Sequence, residues 1–148
     1  NFAPIAAIAL FGGAILPRKL ALSLPLMAMV ISDLIIGLHP LIMFTWGSFV
    51  VIALISSYKF KHITPLLIMG SSVGASILFY LVSNFGVWIE GRLYAPTFSG
   101  LVQCYYNALP FFRNTLHGDV VFTGALFGMY AVAYVLASNQ LKPRYLAR

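Results

Sequence analysis

Residues 83–119, SNFGVWIEGRLYAPTFSGLVQCYYNALPFFRNTLHGD, hold the densest set of amide and aromatic side chains in this chain. The rest of the sequence is mostly apolar: 61% of the 148 residues are hydrophobic, 8% are charged, and the mean hydropathy is +0.93. So few polar residues indicate a protein whose solvent is a lipid bilayer. Polar groups away from the ends of membrane spans are costly and usually functional. We therefore expect the functional site in this stretch.

The length allows a single domain, residues 1–148, and leaves no room for a large soluble domain. The net charge of +6 comes from Lys and Arg residues spread in ones and twos between apolar segments. This spacing suits lipid headgroups, so we expect no nucleic-acid partner. The single cysteine, Cys104, cannot form an internal disulfide. Residues 2–16 lack a preceding basic region, so we do not expect them to be a signal peptide.

The apolar segments predict an all-α fold, a polytopic transmembrane helical bundle of six short spans. Headgroup and turn residues separate the segments, as Pro17 and the two cations after it do at the end of the first one. The predicted spans are residues 2–16, 20–38, 41–58, 63–83, 100–112 and 120–137.

The fifth segment, residues 100–112, is short for a span. At 1.5 Å per residue it covers roughly 20 Å, against a hydrocarbon core of about 30 Å. It is either a tilted, thin span or a re-entrant helix, which would leave five spans. The re-entrant alternative puts eight cations on one side and one on the other, instead of five against four. The positive-inside rule makes this alternative a serious one. Thr97 or Ser99 is expected to cap the helix.

Small residues recur at a spacing of four in the first and fourth segments. Such residues let helix backbones approach closely, either inside the protein or against a partner subunit. The predicted packing or partner face consists of Ala3, Ala7, Ala9, Gly13, Gly70 and Gly74. Ser72 and Ser76 lie one turn apart on the fourth segment, where their hydroxyls can bond across helices.

Amide, cationic and imidazole side chains fall along two neighbouring stripes of the fifth segment at helical spacing. Together they could bind a polar or planar solute. The predicted ligand-binding residues are Asn84, Trp88, Gln103, Asn107, Arg113, Asn114 and His117, with Asp33 and Asp119 as counter-charges. The alternative is that these groups satisfy one another, Arg113 being neutralised by Asp33 or Asp119, and form a structural clamp.

Catalytic and metal-binding motifs are not found. The chain has no GxSxG, no HExxH and no phosphate-binding loop, and its three acidic residues are far apart in sequence. Cys104 and His117 match no compact ligand spacing, so we predict no metal site and no cofactor. His39 and His62 lie near segment ends, where an interfacial position is expected. We therefore expect that the protein is not an enzyme.

Four sequence blocks resemble a bacterial family of small integral membrane proteins of unknown function that carries a transport-protein label. These blocks are NFAPIAAIALFGGA (1–14), PLMAMVISDLIIG (25–37), SNFGVW (83–88) and PTFSGLVQCYYNALPFFRNTLHGD (96–119). In size and span number the chain is also similar to the S components of energy-coupling-factor vitamin transporters. That likeness implies a six-helix binder that docks on a partner through small residues of its first span.

The leading hypothesis is a multi-pass protein of the bacterial cytoplasmic membrane that binds or passes a small solute. It could serve as the substrate-binding subunit of a larger transporter, because the chain has no ATP-binding motif of its own. The competing hypothesis is a structural or accessory subunit of a larger membrane complex, respiratory or photosynthetic, with no solute of its own. Both hypotheses imply lipid and membrane-protein partners.

Overall fold

The computed structural model describes residues 4–59 and 64–140. That part of the chain contains five α-helices and no strand, which confirms the all-α prediction. The helices are α1 (Ile5–Ile15), α2 (Arg18–Ile36), α3 (Ile42–Lys59), α4 (Pro65–Ile89) and α5 (Phe98–Gln140). By length and composition α2, α4 and α5 can cross a membrane, whereas α1 and α3 are shorter apolar helices.

The predicted separation of segment 100–112 from segment 120–137, as a thin span or as a re-entrant helix, is not found, because both belong to one continuous helix, α5. Residues 113–119, which the sequence suggested as a break, are helical, and Pro110 lies inside the same helix. A proline is tolerated within an apolar helix when neighbouring groups satisfy the backbone that it frees. At 1.5 Å per residue α5 is about 64 Å long, twice the thickness of a hydrocarbon core of about 30 Å.

Helix α4 is longer than predicted, since it continues through Asn84 to Ile89. It ends at a turn in which Gly91 adopts a positive φ of 72°, a conformation that glycine reaches without a steric penalty. The Thr97 hydroxyl then accepts a hydrogen bond from the Gly100 backbone N–H at 3.1 Å, as the capping prediction requires.

Successive helices run antiparallel, so α1, α3 and α5 point one way and α2 and α4 the other. The Trp46 side chain of α3 reaches Asp33 near the end of α2. On the other side of α3, Phe49 stacks on Phe79 of α4 with ring centroids 5.1 Å apart. Hydrogen bonds from Ser76 to Asp119 and from Cys104 to Asn84 link α4 to α5 and place the end of α4 beside the beginning of α5.

The core lies where α1 crosses α3, and small residues make the crossing close. A Cβ on Gly13 would lie 2.7 Å from the backbone oxygen of Ala53 and would also collide with Ser56. Ala7 and Ala9 are fully buried, so this face of α1 packs inside the protein. Gly70 and Gly74 instead lie on an exposed face of α4 with open space beside them. Ala3 lies outside the described residues.

Candidate functional site

A cavity of about 460 Å³ lies among the helices, and every one of the five contributes to its wall. Most of the wall is apolar, as is typical of small-molecule sites. Its polar members are few and come from four elements. They are Ser32 of α2, Thr45 of α3, Tyr80, Ser83 and Asn84 of α4, and Thr115 and Asp119 of α5.

Asp119 is the charged residue of this wall among the described residues, and only 2% of its surface is exposed. The Ser76 hydroxyl donates to its Oδ2 at 2.7 Å, across the α4–α5 interface. One turn further on, Thr123 donates to the Ser72 hydroxyl at 3.2 Å. The serine pair therefore bonds across helices, as its spacing predicts. No lysine, arginine or histidine in the described part of the chain forms an ion pair with Asp119.

Two of the hydrogen bonds between α4 and α5 enclose unequal lengths of the two helices. Cys104 of α5 donates its thiol proton to the Asn84 backbone oxygen at 3.3 Å, and Asp119 meets Ser76. Residues 104–119 of α5 thus face residues 76–84 of α4, and these stretches measure about 22 Å and about 12 Å at 1.5 Å per residue. Pro110 lies within the longer stretch, and the wall of the cavity is formed there.

The hydroxyl groups of the wall mostly donate to backbone carbonyls. Ser83 donates to the Phe79 oxygen at 2.6 Å, and Thr115 to the Phe111 oxygen at 3.1 Å. The Tyr80 hydroxyl donates to the Tyr105 oxygen at 2.6 Å across the helix interface. These oxygens can therefore accept hydrogen bonds from a bound molecule but have no proton left to donate.

Of the seven predicted ligand-binding residues, the structure places Asn84 in this cavity. Its side-chain N–H donates to the Tyr80 oxygen at 2.8 Å. Trp88 instead closes the turn after α4, where its indole N–H donates to the Ala95 oxygen at 3.1 Å. The remaining five are exposed on α5 and are not among the residues lining the cavity: Gln103, Asn107, Arg113, Asn114 and His117.

The predicted counter-charges do not meet Arg113. Asp119 bonds to Ser76, and Asp33 accepts a hydrogen bond at 2.8 Å from the indole N–H of Trp46. The His39 Nε2 lies 3.7 Å from the same carboxylate oxygen. Arg113 therefore forms no ion pair with Asp33 or Asp119 in the described part of the chain, because each acid faces inward while Arg113 lies on the exposed face of α5.

Sequence reasoning missed the inward stripe of α5. Ala108, Thr115 and Asp119 line the cavity at spacings of seven and four, the same helical rule that was applied to the amides. Tyr80, Ser83 and Asn84 of α4 have the corresponding spacing on the opposite wall. Helical spacing groups these residues into stripes correctly, but the spacing alone does not show which stripe faces the interior of the bundle.

A second cavity, of about 580 Å³, lies between α1, α3 and the first half of α4. Its wall includes Gly70 and Gly74 but no charged residue among those described. Its Ser56 hydroxyl lies within hydrogen-bond distance of backbone oxygens of α1 and α3. We place the candidate site in the first cavity, because it combines a carboxylate with several free acceptors. The described residues contain no group of three His, Cys, Asp or Glu residues that could hold a metal ion.

Comparison with known proteins gives a family and no functional precedent. No curated protein and no solved structure matches the chain. The model of a family of unknown function, DUF6580, matches residues 1–141, which is nearly the whole sequence. A family of unknown function was expected from four sequence blocks, all of which lie within this matched range. This chain therefore belongs to the DUF6580 family of unknown function.

Proposed function

We propose that this protein binds or passes a small solute through the cavity that contains Asp119, within the bacterial cytoplasmic membrane. Three helices long and apolar enough to cross a bilayer support the membrane location. The observation that carries the proposal is a buried carboxylate on the wall of a cavity large enough for a small organic molecule. An ionisable residue inside a membrane protein marks a substrate or ion pathway by default.

Asp119 carries an energetic cost that packing alone does not explain. A carboxylate near the middle of a spanning helix costs on the order of 2.5 to 3.5 kcal/mol on insertion scales. Ser76 offsets part of this cost, but no described cation does. A residue kept there for packing alone would be replaced at lower cost by an apolar one of similar size. A role in binding a solute explains why an acid occupies this position.

Transport against a gradient would need a source of energy outside this chain, since the sequence contains no ATP-binding motif. Such transport would require an ion gradient or a partner, the latter making this protein the solute-binding subunit of a larger transporter. The small residues of α1 do not form a docking face for the rest of such a transporter, because Ala7, Ala9 and Gly13 are buried against the protein's own helices.

Cysteine accessibility tests whether the cavity is reached by water and solutes. In a Cys104→Ser background, Ser83→Cys places a thiol on the cavity wall, and Leu81→Cys places one on the exposed outer surface of the same helix. In lipid nanodiscs, a membrane-impermeant cationic methanethiosulfonate should modify Ser83→Cys and leave Leu81→Cys unmodified. A thiol in hydrocarbon cannot form the reactive thiolate. If both are unreactive, or only Leu81→Cys reacts, the cavity is not a solute site.

A second candidate function is that of a subunit in a larger membrane assembly, and the exposed face of α5 specifically favours it. Arg113 lies on this face, level with the middle of α4, because residues 104–119 run beside residues 76–84. An arginine facing hydrocarbon costs several kcal/mol unless it is paired. No described acid pairs with it. The partner that fits is a helix of another membrane protein with a carboxylate opposite Arg113.

Photo-crosslinking in intact membranes tests this candidate. A photoreactive amino acid at Tyr106, which is 72% exposed on this face, should capture one defined membrane protein. The same probe at Ile77, on the exposed side of α4, is the matched control. The captured band should weaken in an Arg113→Glu variant and recover when the partner's acid is changed to lysine. Capture of lipid alone at Tyr106, or an Arg113→Glu variant with unchanged capture, would remove this candidate.

A further inference from the structure

We infer that the solute of the Asp119 cavity is a small organic cation, an amine with an apolar or aromatic body. This inference rests on the proposed function and specifies the chemical class of ligand that the same cavity would take. Two independent features of the wall lead to it: the direction of its hydrogen bonds and its aromatic content.

The hydrogen-bonding groups of the wall are mainly acceptors. The hydroxyl protons of Tyr80, Ser83 and Thr115 are donated to backbone oxygens, so their oxygens remain as acceptors. One side-chain N–H of Asn84 is bonded to the Tyr80 oxygen in the same way. Asp119 accepts one hydrogen bond on Oδ2, whereas a carboxylate has about four acceptor sites. The second Asn84 N–H and the Ser32 hydroxyl are the donors left among the described lining residues, so most free positions on the wall suit a ligand that brings protons.

The charge of the wall excludes an anionic ligand. Asp119 is the charged side chain among the described lining residues, and no lysine or arginine in that set could neutralise a bound carboxylate or phosphate. Burying an anion beside Asp119 would add repulsion to the loss of hydration. A cation instead forms a charge-assisted hydrogen bond with Asp119, the stronger kind of polar contact.

Aromatic rings occupy much of the remaining wall. Phe49 and Phe79 stack on one side, and Tyr80 packs against Phe112 with ring centroids 4.7 Å apart. The faces of such rings attract cations, and aromatic walls with a carboxylate are a known solution for binding ammonium groups. The same rings give an apolar ligand body a surface on which to pack.

The test uses three aromatic probes that differ chiefly in charge: benzylamine, benzyl alcohol and benzoate. Each is titrated against the purified full chain in nanodiscs, with binding followed by saturation-transfer NMR. Benzylamine should bind the wild-type protein at least tenfold more tightly than the neutral or anionic probe. The Asp119→Asn variant should lose about tenfold or more of the benzylamine affinity, as expected when a charge-assisted hydrogen bond is lost.

Asp33→Asn is the matched control, because it makes the same chemical change at a carboxylate outside the cavity. It should bind benzylamine like the wild type. Equal binding of benzylamine and benzyl alcohol, unaffected by Asp119→Asn, would overturn the cation inference and leave the solute-binding function standing. Absence of binding by all three probes overturns the inference as well. If Ser83→Cys is also unreactive, the proposed function falls with it.

Discussion

The Ser76 hydroxyl of α4 donates a hydrogen bond to the Asp119 carboxylate of α5 at 2.7 Å, and both residues are buried. This contact links the architecture to the proposed site, because it fixes the two longest helices to each other and orients the acid on the cavity wall. The same hydroxyl lies 3.1 Å from the Ser72 backbone oxygen, so Ser76 sits within a small polar network inside an apolar bundle.

Removal of this hydroxyl should weaken the bundle. Ser76→Ala leaves the buried Asp119 without its hydrogen-bond donor, a loss of about 1 to 3 kcal/mol. We expect the free energy of unfolding, measured by denaturation with sodium dodecyl sulfate in mixed micelles, to fall by that amount. Ser71→Ala, on a less buried face of α4, is the control and should change little. Equal stability of the two variants would show that the contact does not hold α4 to α5.

Substitution of glycine by alanine should lower the stability of the protein at Gly13 but not at Gly74. Gly13→Ala places a methyl group 2.7 Å from the Ala53 backbone oxygen, so α1 and α3 must separate. Overpacking of this kind costs about 1 to 3 kcal/mol. Gly74→Ala meets no atom within 4 Å and should leave stability unchanged or slightly raised. The same micellar unfolding assay measures both, and a tolerated Gly13→Ala would contradict the close α1–α3 crossing.

The α2–α3 hairpin depends on the hydrogen bond from Trp46 to Asp33. Trp46→Phe removes a donor 2.8 Å from a buried carboxylate, and we expect a loss of about 1 to 3 kcal/mol in the unfolding assay. Trp88→Phe removes a comparable indole hydrogen bond to Ala95, but at an exposed turn. Its cost should be clearly smaller. A larger loss of stability in Trp88→Phe than in Trp46→Phe would show that burial does not determine the strength of the Trp46–Asp33 hydrogen bond.

A single helix α5 also predicts a membrane orientation. If α2, α3, α4 and α5 each cross once, the chain beyond Gln140 lies on the same side as Arg18 and Lys19. That side then carries Lys59, Lys61 and the three cations of the C-terminal tail as well, against Arg92 on the other side. The positive-inside rule makes the cation-rich side cytoplasmic. Fluorescent protein fused to the C-terminus should be fluorescent, and alkaline phosphatase inactive; the reverse pattern would contradict this topology.

Sequence reasoning predicted the fold class and the approximate extents of α2, α3 and α4, because apolar length and turn residues mark those helices directly. It did not predict the continuity of α5. A run such as Arg113-Asn114 ends a span when it faces headgroups, but it stays within a helix when its side chains can lie on an exposed face. Only tertiary packing distinguishes the two cases.

The candidate site was predicted only in part, because polarity and helical spacing do not show which residues face the interior of the bundle. Asn84 and Asp119 were both singled out by their polarity, and both line the cavity. Arg113 and Gln103 were chosen by the same criterion and lie on the exposed face. Helical spacing groups residues into stripes, but the choice of the inward stripe depends on small neighbours such as Cys104 and Ala108, which let α4 approach.

Native mass spectrometry of the protein purified from its own membranes can distinguish a solute site at the inward carboxylate of Asp119 from one at the outward cation of Arg113. We predict that the wild type and Arg113→Ala carry the same small-molecule adduct, and that Asp119→Asn lacks it while remaining folded. An adduct that persists in Asp119→Asn and disappears in Arg113→Ala, or the absence of any adduct from the wild type, would contradict the assignment of the solute site to the Asp119 cavity.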